Sequence, residues 1–120
     1  MKIKILIPVF NDWKSVFKLL DEINQLSLDP TIQLSVIIIN DASNHDREDD
    51  EKKYENINSI KILNMKINQG HGRCIATGLK YIFEKENFDY VIPMDGDGED
   101  RPEEIKEFID QLKNSNGKAI

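Results

Sequence analysis

The chain has 120 residues, 39% hydrophobic and 32% charged, with a net charge of −6. That length suits one domain able to bury a core, and an acidic balance argues against a general nucleic-acid binder, which would carry a basic face. Cys74 is the only cysteine, which rules out an internal disulfide or a cysteine-held metal cluster and fits a reducing cytoplasm.

The first apolar run, Ile3 to Val9, is rich in β-branched residues and ends in Phe10-Asn11-Asp12. At roughly six residues it is too short for a signal peptide or a membrane span, and it reads as a strand. Trp13, Val16, Phe17, Leu20 and Ile23 then recur at three- and four-residue spacing. This predicts a helix with Asn11 or Asp12 as its N-cap and Trp13 in its core stripe. Leu34 to Ile39 is apolar but for Ser35, the pattern of a strand covered on both faces, and it runs into Asn40-Asp41-Ala42-Ser43. Residues 45–56, HDREDDEKKYEN, are charged enough for either a short helix or a solvated loop.

A third strand, Ile60 to Leu63, leads into NMKINQGHGR. Ile75, Leu79, Ile82 and Phe83 mark a second helix, and Gly78 within it signals close packing of helix on sheet. Tyr90 to Pro93 is a fourth strand. Ile105, Phe108, Ile109 and Leu112 form a third helical stripe after Pro102, with Glu103 and Glu104 suited to the helix dipole. The terminal NSNGKAI reads as a helix end, a glycine turn and the start of another strand, as if a longer chain had been cut.

The alternation predicts one α/β domain over residues 1–120, a three-layer α/β/α Rossmann-like sheet, mainly parallel, with right-handed crossovers. Ligands bind such sheets beyond the carboxyl ends of the strands. There the sequence places PVFND, NDASN, NMKINQGHGR and MDGDGED. One mouth thereby collects Asp12, Asp41, Asp95 and Asp97.

The cluster DGDGED at 95–100 is not an EF-hand loop. Counted from Asp95, the sixth and twelfth positions are Asp100 and Lys106, where glycine and glutamate are required. Asp-x-Asp at a strand end suits Mg2+ or Mn2+ held by one or two carboxylates, with the other positions left to water and phosphates. A solvated acidic turn, with Asp100 capping the next helix, accounts for the same residues. NQGHGRCIATGL at 68–79 lacks the lysine of a P-loop and the third glycine of the dinucleotide fingerprint. It is a glycine-rich helix entry with Arg73 in its first turn, or a plain loop-to-helix junction. Asp41 reads as part of an Asx turn or as a ligand of a nucleotide base or ribose hydroxyl. His45 and His71 have no partner at ligand spacing and read as surface residues, while Cys74 reads as packing.

In this order the four segments resemble glycosyltransferase family 2, of the GT-A fold, which includes dolichyl-phosphate-mannose synthases and bacterial sugar transferases. IPVFND at 7–12 matches the family's Pro-Val-Tyr-Asn-Glu, and NDAS at 40–43 its Asp-Asp-Gly-Ser. NQGHGRC at 68–74 matches Asn-x-Gly-x-Gly-x-Ala, and MDGDGEDRPEEI at 94–105 matches Met-Asp-x-Asp before a proline-led helix. Asn40, Asp12, Ala42 and Cys74 depart from the usual Asp, Glu, Gly and Ala.

The resemblance implies the donor-binding part of a metal-dependent glycosyltransferase. Such an enzyme moves a sugar from a UDP- or GDP-linked donor to a lipid-phosphate, saccharide or other acceptor. It implies that Pro8, Phe10 and Asp12 line the base and ribose pocket, that Asp41 contacts the nucleoside, and that Gly70 and Arg73 face the sugar nucleotide. Asp95 and Asp97 would hold Mg2+ or Mn2+ on the diphosphate, leaving Glu99 and Asp100 to the turn and helix start. The family's acceptor site and catalytic base lie beyond the Asp-x-Asp segment, so no catalytic base is assigned here. The implied protein is cytoplasmic, working at the inner face of the membrane if the full-length chain associates with it, with no span in this chain and no nucleic-acid partner. Two other readings are a non-catalytic nucleotide-sugar-binding or assembly domain and a receiver-like signalling module. The latter lacks the aspartate it needs at the end of the third strand.

Overall fold

A computed structural model describes residues 1–44, 53–95 and 102–114. In chain order the elements are β1 (Lys2–Val9), α1 (Trp13–Asn24), β2 (Gln33–Asn40), β3 (Ser59–Asn64), α2 (His71–Lys85), β4 (Tyr90–Pro93) and α3 (Glu103–Asn114). The four strands form one sheet in the order β3-β2-β1-β4, and every pair is parallel.

The continuous apolar runs are explained by two cores, one on each face of this sheet. Ile3, Ile5 and Ile7 of β1, with Val36 and Ile38 of β2, pack with Trp13, Val16 and Leu20 of α1 and Ile105 and Ile109 of α3. On the other face Leu6, Ile37 and Ile39 pack with Cys74 and Ile82 of α2. Alternate residues along a strand point to opposite faces, so a strand sandwiched by helices must be apolar at every position. Each such side chain contributes roughly 1.5–3 kcal/mol when fully buried.

Gly78 lets α2 approach closely. A Cβ there would lie 2.3 Å from Leu6 Cδ1 and 3.2 Å from Ile39 Cγ1. The three-layer α/β/α arrangement is the expected one, with two helices on one face and one on the other.

Asp12 is the cap of α1, its Oδ1 accepting the Ser15 N–H at 3.3 Å. α2 begins at His71, four residues before the first member of its predicted apolar stripe, because its opening turn is largely polar and exposed. Residues 45–52 of the charged segment, and the terminal 115–120, lie outside the described residues.

The order of strands fixes where a ligand can sit. The chain steps outward from β1 to β2 to β3, then returns across β1 to lay β4 on its other side. The carboxyl ends of β1 and β4 therefore flank a topological switch point, where α/β sheets open a crevice.

Candidate functional site

The loops after β1 and β2 are locked to each other by side-chain amides. Asn11 has φ 65° and Ala42 φ 57°, left-handed conformations that non-glycine residues adopt at a cost. The Asn11 N–H donates to Ser43 Oγ at 2.9 Å, and Asn11 Oδ1 accepts from the Asn44 N–H at 2.6 Å. Ser43 Oγ donates in turn to Asn40 Oδ1 at 2.6 Å, and Asn40 Nδ2 donates to Asn64 Oδ1 at 3.0 Å. One chain of bonds thus ties the ends of β1, β2 and β3. Asn40, the departure from the family's usual aspartate, is what permits it: an amide accepts on one side and donates on the other, and a carboxylate only accepts. Asn40 Oδ1 also accepts the Ser43 N–H at 3.1 Å, three residues on, one more than the Asx turn of the sequence reading spans.

Asp41 is buried, 3% exposed. Its Oδ1 accepts the Gln69 N–H at 2.7 Å and its Oδ2 the Gly70 N–H at 2.9 Å. Asn68 Nδ2 donates to its carbonyl oxygen at 3.2 Å. These bonds hold the entry of α2 against the end of β2. Gly70 there has φ 90° and ψ 162°, which a side chain would strain. Below it, burial and then the neighbouring Asp41 carboxylate push the Cys74 thiol up to about 11. That thiol is a packing group, as expected, and not a nucleophile.

Asp95 follows β4, its side chain 46% exposed. His71, the first residue of α2, is hydrogen-bonded through Nε2 to Asp95 Oδ1. His71 reads from the sequence as a surface residue without a partner. It is exposed, but the fold hands it a carboxylate 24 positions away. Position at the mouth was the available signal, since the helix entry and the β4 end both belong there.

The mouth therefore joins Asp41, Gly70, His71 and Asp95 through bonded contacts. Phe10, 46% exposed, and Asp12 stand at the end of β1, while Pro8 is buried within that strand. Arg73 is exposed in the first turn of α2, with no ion-pair partner among the described residues. Asp97, Glu99 and Asp100 lie outside the described residues.

No three His, Cys, Asp or Glu side chains converge as a metal cage among the described residues. A half-exposed strand-end carboxylate such as Asp95 nonetheless fits Mg2+ or Mn2+ chemistry, in which one or two carboxylates suffice beside water and phosphates. Among the described residues no helix is long and apolar enough to cross a membrane.

The sequence pattern of glycosyl transferase family 2 matches residues 4–119. An uncharacterized protein of Methanocaldococcus jannaschii is 27% identical over 118 residues, 96% of this chain and 48% of that protein. An uncharacterized glycosyltransferase of Synechocystis sp. is 28% identical over 118 residues, 94% of this chain and 35% of its own length. Among solved structures, residues 1–349 of S. aureus TarS in complex with UDP-GlcNAc superpose with a TM-score of 0.74 at 22% identity. That match takes in 95% of this chain and 32% of the TarS chain. The same protein in complex with UDP gives a TM-score of 0.67 at 22% identity, over 94% of this chain and 33% of that one. The chain spans half or less of the length of each of these proteins.

Proposed function

The chain belongs to glycosyl transferase family 2, and from that premise we propose that it is the donor-binding part of an enzyme transferring a sugar from a UDP- or GDP-linked donor to an acceptor. The observation that carries this reading is the mouth at the switch point, where the glycine-opened start of α2 meets Asp95 at the end of β4. The first turn of a helix offers unpaired N–H groups and a positive dipole end, which suit a diphosphate. The UDP-GlcNAc seen in TarS supports a nucleoside-diphosphate sugar as the ligand class.

In this reading the exposed Phe10 ring and Asp12 border the base and ribose, with Pro8 shaping the strand beneath. Asp41 holds the 69–70 loop so that Gly70 and Arg73 face the phosphates, and nucleoside contact falls to what that loop presents. Asp95, with Asp97, would hold Mg2+ or Mn2+, which when bound offsets the charge developing on the departing nucleoside diphosphate. His71 orients the Asp95 carboxylate. No residue is assigned as the base that activates the acceptor.

Calorimetry with UDP-GlcNAc and GDP-mannose, with and without Mn2+, tests the reading. Donor binding strengthened by Mn2+ and weakened at least about tenfold in Asp95→Asn and Asp97→Asn is expected. Binding unaffected by metal and by both substitutions would remove the metal role, and no binding of either donor would remove the donor role.

A further inference from the structure

The opposite end of the same strands carries a second polar assembly. Lys2, Lys4, Gln33, Ser35, Asn58 and Ser59, together with Glu86 and Asn87, line a hollow of 310 Å³ on the α2 side of the sheet. Leu6 is the lowest residue of β1 that α2 covers, and the two positions below it on that face are lysines. The register sets Lys2 beside Gln33, and Lys4, Ser35 and Ser59 in one row across three strands. The other face of the same strands carries Ile3, Ile5, Leu34 and Val36, so the polarity is confined to this face. A parallel sheet is ordinarily apolar on both faces, and here the rule is broken on three adjacent strands at once.

These groups are also unspent. Ser35 is 5% exposed, and its hydroxyl has no hydrogen-bond partner among the described residues. The side chains of Gln33, Asn58 and Ser59 likewise make none there, and among the described residues neither the Lys2 nor the Lys4 ammonium has a carboxylate partner. Two acids stand close by, and both carboxylates are already bonded. Glu86, which also lines the hollow, is paired with Lys61 Nζ at 2.7 Å, and Asp89 accepts the backbone N–H of Lys2 at 2.6 Å. Two ammonium groups without an ion-pair partner among the described residues, in a chain of net charge −6, share one concavity with hydroxyl and amide donors and with the Lys61-paired Glu86. A phosphate's oxygens accept from ammonium, hydroxyl and amide donors alike.

We infer that this hollow is a binding site for a small phosphorylated solute, held by Lys2 and Lys4 with Ser35 and Ser59. Its volume lies at the lower end of small-molecule sites, about 300–1,000 Å³, which suits a phosphate monoester better than a nucleotide sugar. It is separated from the donor mouth by the length of β1, so neither site depends on the other.

The test is a ¹H–¹⁵N NMR titration of the full chain with inorganic phosphate and with glycerol 3-phosphate, at ionic strength matched with sodium chloride. Saturable shifts at Lys4, Ser35 and Ser59 are expected, with affinity reduced about tenfold or more in Lys4→Gln. Should that variant not fold, Lys2→Gln gives the same comparison from an exposed position. Shifts equal to those with chloride, shifts confined to residues 70–73, or affinity unchanged in the folded variant would overturn the inference. So would binding to phosphatidic-acid vesicles with no response to either soluble phosphate.

Discussion

The two ends of the sheet are both polar, yet they differ in what the polar groups are doing. At the carboxyl end they bond one another: Asn64 to Asn40 to Ser43 to Asn11, Asp41 to Gln69 and Gly70, His71 to Asp95. At the amino end the side chains of Lys2, Lys4 and Ser35 make no hydrogen bond or ion pair among the described residues. Polarity alone does not separate structure from site. The carboxyl end builds a rigid rim whose bonded side chains shape a mouth, while the amino end leaves donors open for a ligand.

The contrast can be broken by substitution, with the largest effect expected at Asp41. Asp41→Ala leaves the Gln69 and Gly70 N–H groups without their acceptor and should lower unfolding free energy by roughly 3 kcal/mol in urea titrations. A loss below about 0.5 kcal/mol would mean the rim is not held by this carboxylate.

Next comes the thiol beneath it. The folded chain keeps the Cys74 proton up to about 11, whereas an unfolded thiol releases it near its ordinary value. Between those two points the unfolded state binds fewer protons, so stability is complete below the lower one and falls as pH rises through the window. The loss should reach roughly 2–3 kcal/mol. Cys74→Ala should flatten this alkaline slope, read as the difference in melting temperature between pH 8 and 10.5. Parallel slopes for the two proteins would refute the burial of that thiol.

Asn40→Asp removes the donor to Asn64 while keeping the Oδ1 acceptor of both Ser43 bonds. A loss of about 1 kcal/mol is expected, and an unchanged stability would show that the β2–β3 link is dispensable. Smallest of all is the effect at the other end. Lys2→Gln should alter stability by less than about 0.5 kcal/mol without phosphate, because an unpaired lysine has no partner to lose. A larger loss would place Lys2 among the structural groups and erase the contrast between the two ends.

Much of this was legible in the chain itself. The four strands and three helices follow from local periodicity, and the positions of Asp12, Asp41 and Asp95 at strand ends follow from those elements. Gly78 announced close packing correctly, since only backbone fits against Leu6 and Ile39. Less legible was which polar residue does what. Asp41 is spent on a loop 28 positions later, and His71 on a carboxylate 24 positions later. No spacing rule reaches so far, because the first pair exists only once the entry of α2 lies against the end of β2, and the second only once β4 has crossed back beside β1.

Lys2 and Lys4 show the same limit from the other side. In the sequence they are two charges in a short apolar run, interchangeable with any solvated strand end. The three-strand register turns them into the wall of a hollow, since it sets Lys4 level with Ser35 and Ser59. Local pattern and composition determined the layers, the parallel sheet and the acidic mouth, for those depend on periods of two and 3.6 residues. Tertiary structure alone decided which polar groups are satisfied, because hydrogen bonding over long separations is a property of strand order and register.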